Sequence, residues 1–433
     1  MRFMPSEVGT STSTTHRERA LRRHASALVL AIISVSAIGV SVAACTGDDP
    51  DLTPATADGG EDDGSRGPDG SEEDAGGDAL DAGLTTCDGS TVDTRTSSDH
   101  CGACGHDCAG GECAGGRCRP VTIASNLARP FGVTTGGTGV LWIRGEGDAG
   151  AVESCPTSGC GGNAPTVITA DVSPPNEPAP TGVTIVSDGI HVHWISRGKD
   201  FGAELNNLYG CNLTLCTPKE ASGNAYSAIQ LARDGESLLY RLAGGSIRSC
   251  KFGDCPETPD TVVGAFQGSL GLAVAGDRLF YASKSAAPTP DNVFTCTLNQ
   301  GRTSCSSAAP MFSAPDISFL GVSKTTLYAI SGNELLACGV AGCANAPATV
   351  STDLPPVIAF VVDDDNAYFA ERGDPGTKTG SIRACSLPSC AGGLRTVLDG
   401  LASPSSLWLD DGVLYFAESG DVPGSGSIRK IRP

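Results

Sequence analysis

The chain has 433 residues and a net charge of −20 at pH 7, with 18 % charged and 5 % aromatic residues. Its 57 glycines and 27 prolines, and the near absence of helical apolar spacing beyond the N-terminus, disfavour a helical bundle and favour a turn-rich β protein. The acidity is local: thirteen Asp or Glu fall within residues 46–84 against Arg66 alone, so it describes a solvated tether and argues against nucleic acid as a partner.

In chain order, residues 1–44 read as an export signal. Arg17, Arg19, Arg22 and Arg23 form a basic start, followed by a small and apolar run from Ala25 to Ala44. That run could span a bilayer as an anchor, but its Ala/Ser/Val character and small residues at the end favour cleavage. Its end, Val42-Ala43-Ala44-Cys45, resembles the bacterial lipobox, where the signal is cut before a cysteine that becomes diacylated. The resemblance implies lipidation of Cys45, attachment to a membrane through that lipid, and a place in the cell envelope, at the outer membrane or cell surface. Arg22-Arg23 also raises a twin-arginine signal, which the flanking residues match poorly.

Residues 45–84 comprise the lipidated cysteine and an Asp/Gly/Ala/Pro linker with too little apolar surface to offset the entropy of ordering. Residues 85–119 hold Cys87, Cys101, Cys104, Cys108, Cys113 and Cys118. Cys101-x-x-Cys104 beside His100 and His106 has a spacing that structural zinc sites use. An exported segment with no core of its own is better served by disulfides, and three bridges leave fifteen connectivities open. The run Asp99-His100-Cys101-Gly102-Ala103-Cys104-Gly105-His106-Asp107-Cys108 resembles the Cys-Gly-x-Cys-Gly-x-x-Cys modules of myxobacterial surface and secreted proteins, which implies an extracytoplasmic stalk module.

From residue 120 to 433 one pattern recurs seven times: an apolar strand, a turn, a strand with an aromatic at its heart, and a third strand. The central strands carry Trp142, Trp194, Tyr240, Tyr281, Tyr328, Phe369 and Phe416. Apolar residues on both faces of these strands mean burial on both sides. In six copies the third strand ends in a cysteine with a second close behind. These are Cys155 with Cys160, Cys211 with Cys216, Cys250 with Cys255, Cys296 with Cys305, Cys338 with Cys343, and Cys385 with Cys390. Each pair is expected to staple the outer hairpin of its own copy. A fourth strand follows, as in Thr166–Thr169 and Thr396–Leu398, except in copy seven, where the chain stops. Val121–Ala124, which precedes copy one without a partner, would complete that last sheet. The expected fold is therefore all-β, a seven-bladed β-propeller, with a six-bladed ring as the alternative. Copies six and seven, with Phe369-Ala-Glu371 and Phe416-Ala-Glu418 each followed by Ser-Ile-Arg, are similar to the Tyr-Trp-Thr-Asp and NHL-type propeller repeats, a resemblance that implies fold and not activity.

Nineteen cysteines divide into one for lipid, six for the small module and twelve for the repeats. Cysteines in such numbers belong in an oxidising compartment. The loops opposite the cysteine ends vary most, and loops on a rigid scaffold carry recognition. Arg144, Arg197, Glu371 and Glu418 on that face are the binding candidates, for a protein or glycan ligand, with solvated charges or ion pairs as the bland reading. No catalytic residue, resident metal or cofactor is assigned. The leading function is a non-catalytic binding or structural module on a lipid anchor. The alternative is a calcium-dependent lactonase- or esterase-like hydrolase, by resemblance to gluconolactonase- and strictosidine-synthase-like propellers, whose calcium Glu371 and Glu418 would help hold. His191-x-His193 could ligate a metal but reads better as a buried histidine, and Asp363-Asp364-Asp365 reads as turn chemistry.

Overall fold

The computed structural model describes residues 83–433 except 146–149, 173–181, 198–205, 221–227, 257, 265, 287 and 375. The signal segment, Cys45 and the linker to residue 82 lie outside the described residues. The described residues form strands and connections with no helix.

Seven four-stranded antiparallel sheets account for residues 121–431. Blade 1 spans residues 130–172, blade 2 185–220, blade 3 228–263, blade 4 268–314, blade 5 317–351 and blade 6 357–401. Blade 7 takes three strands from 404–431, and its outer strand is the leading segment Val121–Leu127, antiparallel to Gly426–Ile431. The ring is therefore closed by pairing the strand that leads into blade 1 with the third strand of blade 7, and the fold is a seven-bladed β-propeller. Inner strands of successive blades pack side by side around the axis. Trp142, Tyr240, Phe369 and Phe416, on the second strands, are fully buried between neighbouring blades.

Turns between first and second strands are tight. Gly189 shows why glycine is needed: its φ is +88°, and a Cβ there would lie 2.6 Å from the Gly137 amide in the equivalent turn of blade 1. Blade 5 corrects one expected register. Elsewhere the aromatic lies two residues beyond the one facing the third-strand cysteine; here Leu327 faces Cys338, so the equivalent position is Ala329. Tyr328 turns instead into the cluster between blades 5 and 6.

Blades 1 to 6 each hold one disulfide within the blade. The bridges are Cys155–Cys160, Cys211–Cys216, Cys250–Cys255, Cys296–Cys305, Cys338–Cys343 and Cys385–Cys390. Beyond their own hairpins they reach further, because the second cysteine of each pair packs toward the preceding blade. Cys216 lies in the cluster with Leu141 and Ile143 of blade 1, and Cys255 in the cluster with Val186 and Ile195 of blade 2. Cys305 joins Leu239 and Ile247 of blade 3, Cys343 joins Phe280 and Phe312 of blade 4, and Cys390 joins Phe319 and Tyr328 of blade 5.

Polar contacts follow the same direction. The blade 1 loop lies on blade 7, where the Cys160 amide donates to the Ile123 carbonyl at 3.0 Å. In the blade 3 loop, Phe252 meets His193 of blade 2 edge-on, with ring centroids 4.8 Å apart, and the Gly253 amide donates to His193 Nε2 at 3.1 Å. The blade 4 loop sets Arg302 against Asp234 of blade 3 at 2.6 Å. The Asn345 amide of blade 5 donates to the Met311 carbonyl of blade 4 at 3.1 Å, while Asn345 Oδ1 accepts from the Ser313 amide at 3.0 Å. At blades 7 and 4 this contact occupies the free edge of an outer strand, a place otherwise open to strand addition.

Blade 7 has no cysteine pair; Ile431 stands opposite Leu414, where the others have their third-strand cysteine. The small N-terminal module fills the gap. Its bridges are Cys87–Cys104, Cys101–Cys113 and Cys108–Cys118. Cys101, Cys108 and Cys118 share one buried cluster with Leu414 and Ile431 of blade 7 and with Val397, Leu398 and Leu401 of blade 6. Lys430 feels both bodies: burial lowers its pKa while Asp107 of the module partly offsets that. The segment expected to act as a stalk is thus packed against the ring, in the position of a seventh latch.

Candidate functional site

Strand alternation puts the turns and all six latches on one face of the ring. The opposite face carries the connections from second to third strand, which run from two residues in blade 5 to eight in blades 2 and 6. Arg144, Glu371 and Glu418 end the second strands of blades 1, 6 and 7 beneath this face. In blade 2 the equivalent residue is Ser196, and Arg197 lies one residue further, its backbone paired with Asn206.

The three charged ends are each matched within their own blade. Arg144 Nε lies 2.8 Å from Glu153, whose other oxygen accepts from the Trp142 indole at 3.1 Å. Glu371 lies 2.7 Å from Arg383. Glu418, nearly buried, accepts from Arg429 at 2.9 Å, from the Ser427 hydroxyl at 3.2 Å and from the Ala402 amide at 2.9 Å. Blade 1 carries the pair with its signs exchanged between strands. These pairs clamp second strand to third, and the Ala402 contact ties the connector from blade 6 to blade 7. The spacing from Phe-Ala-Glu to Ser-Ile-Arg in copies six and seven is the signal that could have shown the pairing. Glu418→Ala is expected to cost about 2 kcal/mol, because it strands a half-buried arginine and an amide. The urea midpoint of the variant against wild type measures it.

A groove of about 810 Å³ lies at the seam where the ring closes. It runs along Thr122–Ala128 of blade 7 and is bounded by Ser158–Pro165 of blade 1, with Arg144 and Glu153 at one end and Pro423 and Gly424 on the loop face. Its lining of hydroxyls, Asn126, Asn163 and glycine backbone offers hydrogen bonds in many directions. A second cleft, of about 600 Å³, lies on the latch face between blades 3 and 4.

The histidines do not converge on a shared ligand. His191 Nδ1 lies 3.2 Å from Asp188, whose carboxylate also accepts from the His191 and Ile190 amides. His193 is 3 % exposed and its pKa is pushed down to about 4, first by burial. Asp363 caps its turn by accepting from the amides of Asp365 and Asn366, and Asp364 pairs with Lys324. In the small module, Cys101, Cys108 and Cys118 have their sulfurs within 4.8 Å of one another, and each sulfur is bound in a disulfide.

No protein-family profile matches the chain, and no curated protein sequence matches it either. Among solved structures it is similar to the computationally designed Ika8 protein, at 9 % identity over 71 % of this chain and 98 % of that one, with a TM-score of 0.44. It is similar to the WD40 β-propeller domain of Doa1 at 10 % identity over 72 % and 96 % of the two chains, with a TM-score of 0.48. A prolyl endopeptidase structure gives 13 % identity over 69 % of this chain and 45 % of that one, with a TM-score of 0.45.

Proposed function

We propose that the chain is an exported, lipid-anchored cell-envelope protein that presents its disulfide-latched propeller as a non-catalytic binding or structural module. The observation that carries this reading is the division between the two faces. Latches and tight turns occupy one, and connections of unequal length occupy the other, the arrangement in which a rigid scaffold offers variable loops for recognition. The seam groove reaches that second face at Pro423 and Gly424, and its hydrogen-bonding lining suits a protein or glycan partner. Glu371 and Glu418 already serve as clamps for Arg383 and Arg429, which favours a scaffold role for them over a catalytic one.

Lipidation is supported by arithmetic. Of nineteen cysteines, the eighteen from Cys87 onward form nine disulfides, leaving Cys45 alone for a lipid. Mass spectrometry of the mature N-terminus from purified membranes should find diacylated Cys45, and Cys45→Ser should remain as the uncleaved precursor. An intact N-terminus on the membrane-bound wild-type protein would replace the lipid by a transmembrane anchor and sink this part of the reading. For the face, a photo-reactive residue at Pro423 should cross-link to envelope components in cells while one at Asp254 does not; the reverse result would move recognition to the latch face.

A further inference from the structure

One repeat position breaks the apolar rule. Next to the aligned central residue stand Ile143, Ile195, Ala282, Ile330, Ala370 and Ala417, all buried between blades. Blade 3 has Arg241 there, 1 % exposed, with Nε and Nη1 making no hydrogen bond. The acid that blades 6 and 7 carry one residue further on is replaced by Leu242. No ion pair to Arg241 exists among the described residues. Burial lowers its pKa only to about 10, so the guanidinium keeps its charge at neutral pH. A buried charge without a counter-ion is among the costliest arrangements a fold can keep.

Its surroundings are shaped for more than packing. The Phe266 ring lies 5.9 Å from the guanidinium carbon, and the Phe266 amide bonds the Gly245 carbonyl, so the connector from blade 3 to blade 4 covers the site. Gly268 leaves room for the side chain, since a Cβ there would come within 2.7 Å of Nη2. Gln230 faces Arg241 in register; it is buried, its Nε2 donates to the Leu272 carbonyl at 3.2 Å, and its Oε1 has no partner. Arg241 also sits at the end of its strand beneath the 243–246 connection.

We propose that Arg241 anchors an anion site between blades 3 and 4 that takes the carboxylate of a ligand entering from the loop face. A single negative charge balances the guanidinium, whereas a dianion leaves an excess in the same buried space. The planar carboxylate edge fits the guanidinium fork. Among the described residues, this position is the one of the seven equivalents that holds a charge, and the inference stands whether or not the lipid-anchor reading holds.

The test is the melting temperature of the full-length protein in sodium fluoride, chloride, sulfate, formate and acetate at constant ionic strength. Formate and acetate are expected to raise it saturably, on the order of 3 °C at high occupancy. Arg241→Leu should abolish that response and melt higher than wild type in fluoride, because an unbalanced charge has been removed. Phe266→Ala should shift the midpoint of the acetate response to lower concentration. A wild-type melting temperature independent of the anion would overturn the site and leave a buried water bridging Gln230 and Arg241 as the account. A response to chloride alone would overturn the carboxylate class, and a response retained by Arg241→Leu would overturn the assignment of the residue.

Discussion

Deleting residues 85–119 is expected to lower the melting temperature of the propeller by about 6 °C, although every blade remains present. Without the module, Leu414 and Ile431, 0 % and 3 % exposed, lose the cysteine side of the cluster they share with it. Partial exposure of two such side chains, with Val397 and Leu398 beside them, costs about 3 kcal/mol. The loss should be local. Hydrogen exchange should quicken in residues 397–401 and 413–431 and stay unchanged in blades 2 to 5. Cys108→Ser with Cys118→Ser, which keeps the segment but unties it, should give the same map with a smaller drop. Loss of one blade bridge, such as Cys155–Cys160, gives a comparison of about 2 kcal/mol confined to the seam between blades 7 and 1. If the truncated protein melts like wild type and its blade 6 and 7 amides stay protected, the module is an appendage and the seventh latch does not exist.

Stability is expected to fall as pH drops from about 6.5 to about 4 and then to level off with respect to His193. Folding lowers the pKa of this histidine to about 4 from an ordinary 6.5, first through burial and then through the neighbouring His191 charge. The unfolded chain therefore takes up the proton first as pH falls, and the protein must remain folded around a neutral ring. At most about 3 kcal/mol follows from a shift of this size. The neutral ring accepts from the Gly253 amide, so the penalty falls on the contact between blades 2 and 3. Asp188, on the adjoining turn, has its pKa lowered by the amides and ring it holds, so its loss lies at more acidic pH and does not mask the histidine window. Urea unfolding at pH 7, 5.5 and 4.5 measures the slope. His193→Phe should remove it between pH 6.5 and 4; a slope that survives assigns the effect elsewhere.

The blade count and the closing strand were legible because they depend on local pattern. A second strand apolar on both faces, such as Val140–Ile143, reads as buried wherever it occurs, and an unpartnered Val121–Ala124 has one sheet left to complete. Blade 5 misleads because Tyr328 looks like the aromatic of the repeat, while the register is set by the pairing of Leu327 with Cys338 on the next strand. The pairing of each blade's cysteines was equally local, since a bridge such as Cys338–Cys343 spans only five positions. The backward reach of the latches was not legible at all. Phe252, Arg302 and Asn345 do the same job with three unrelated chemistries, so no spacing announces it. The clamps at Glu371 and Glu418 were visible as charges, and the Ser-Ile-Arg that follows each at the third strand was the one signal that an arginine would face it across the pairing. Arg241 could be noticed only once the seven copies were laid on one register.

That each latch grips the blade before it gives the ring a sense of rotation, and the seventh grip belongs to a segment that enters the ring from outside it. Tension applied through the chain before Gly83 would therefore load the small cysteine module ahead of any blade. Its own three cross-links limit how far it can stretch, so a pull would be spent first on the seam between blades 6 and 7, before it reaches the outer strand Val121–Leu127 and the blade 1 latch that holds it. Yielding would begin at this point, with the loop face still whole.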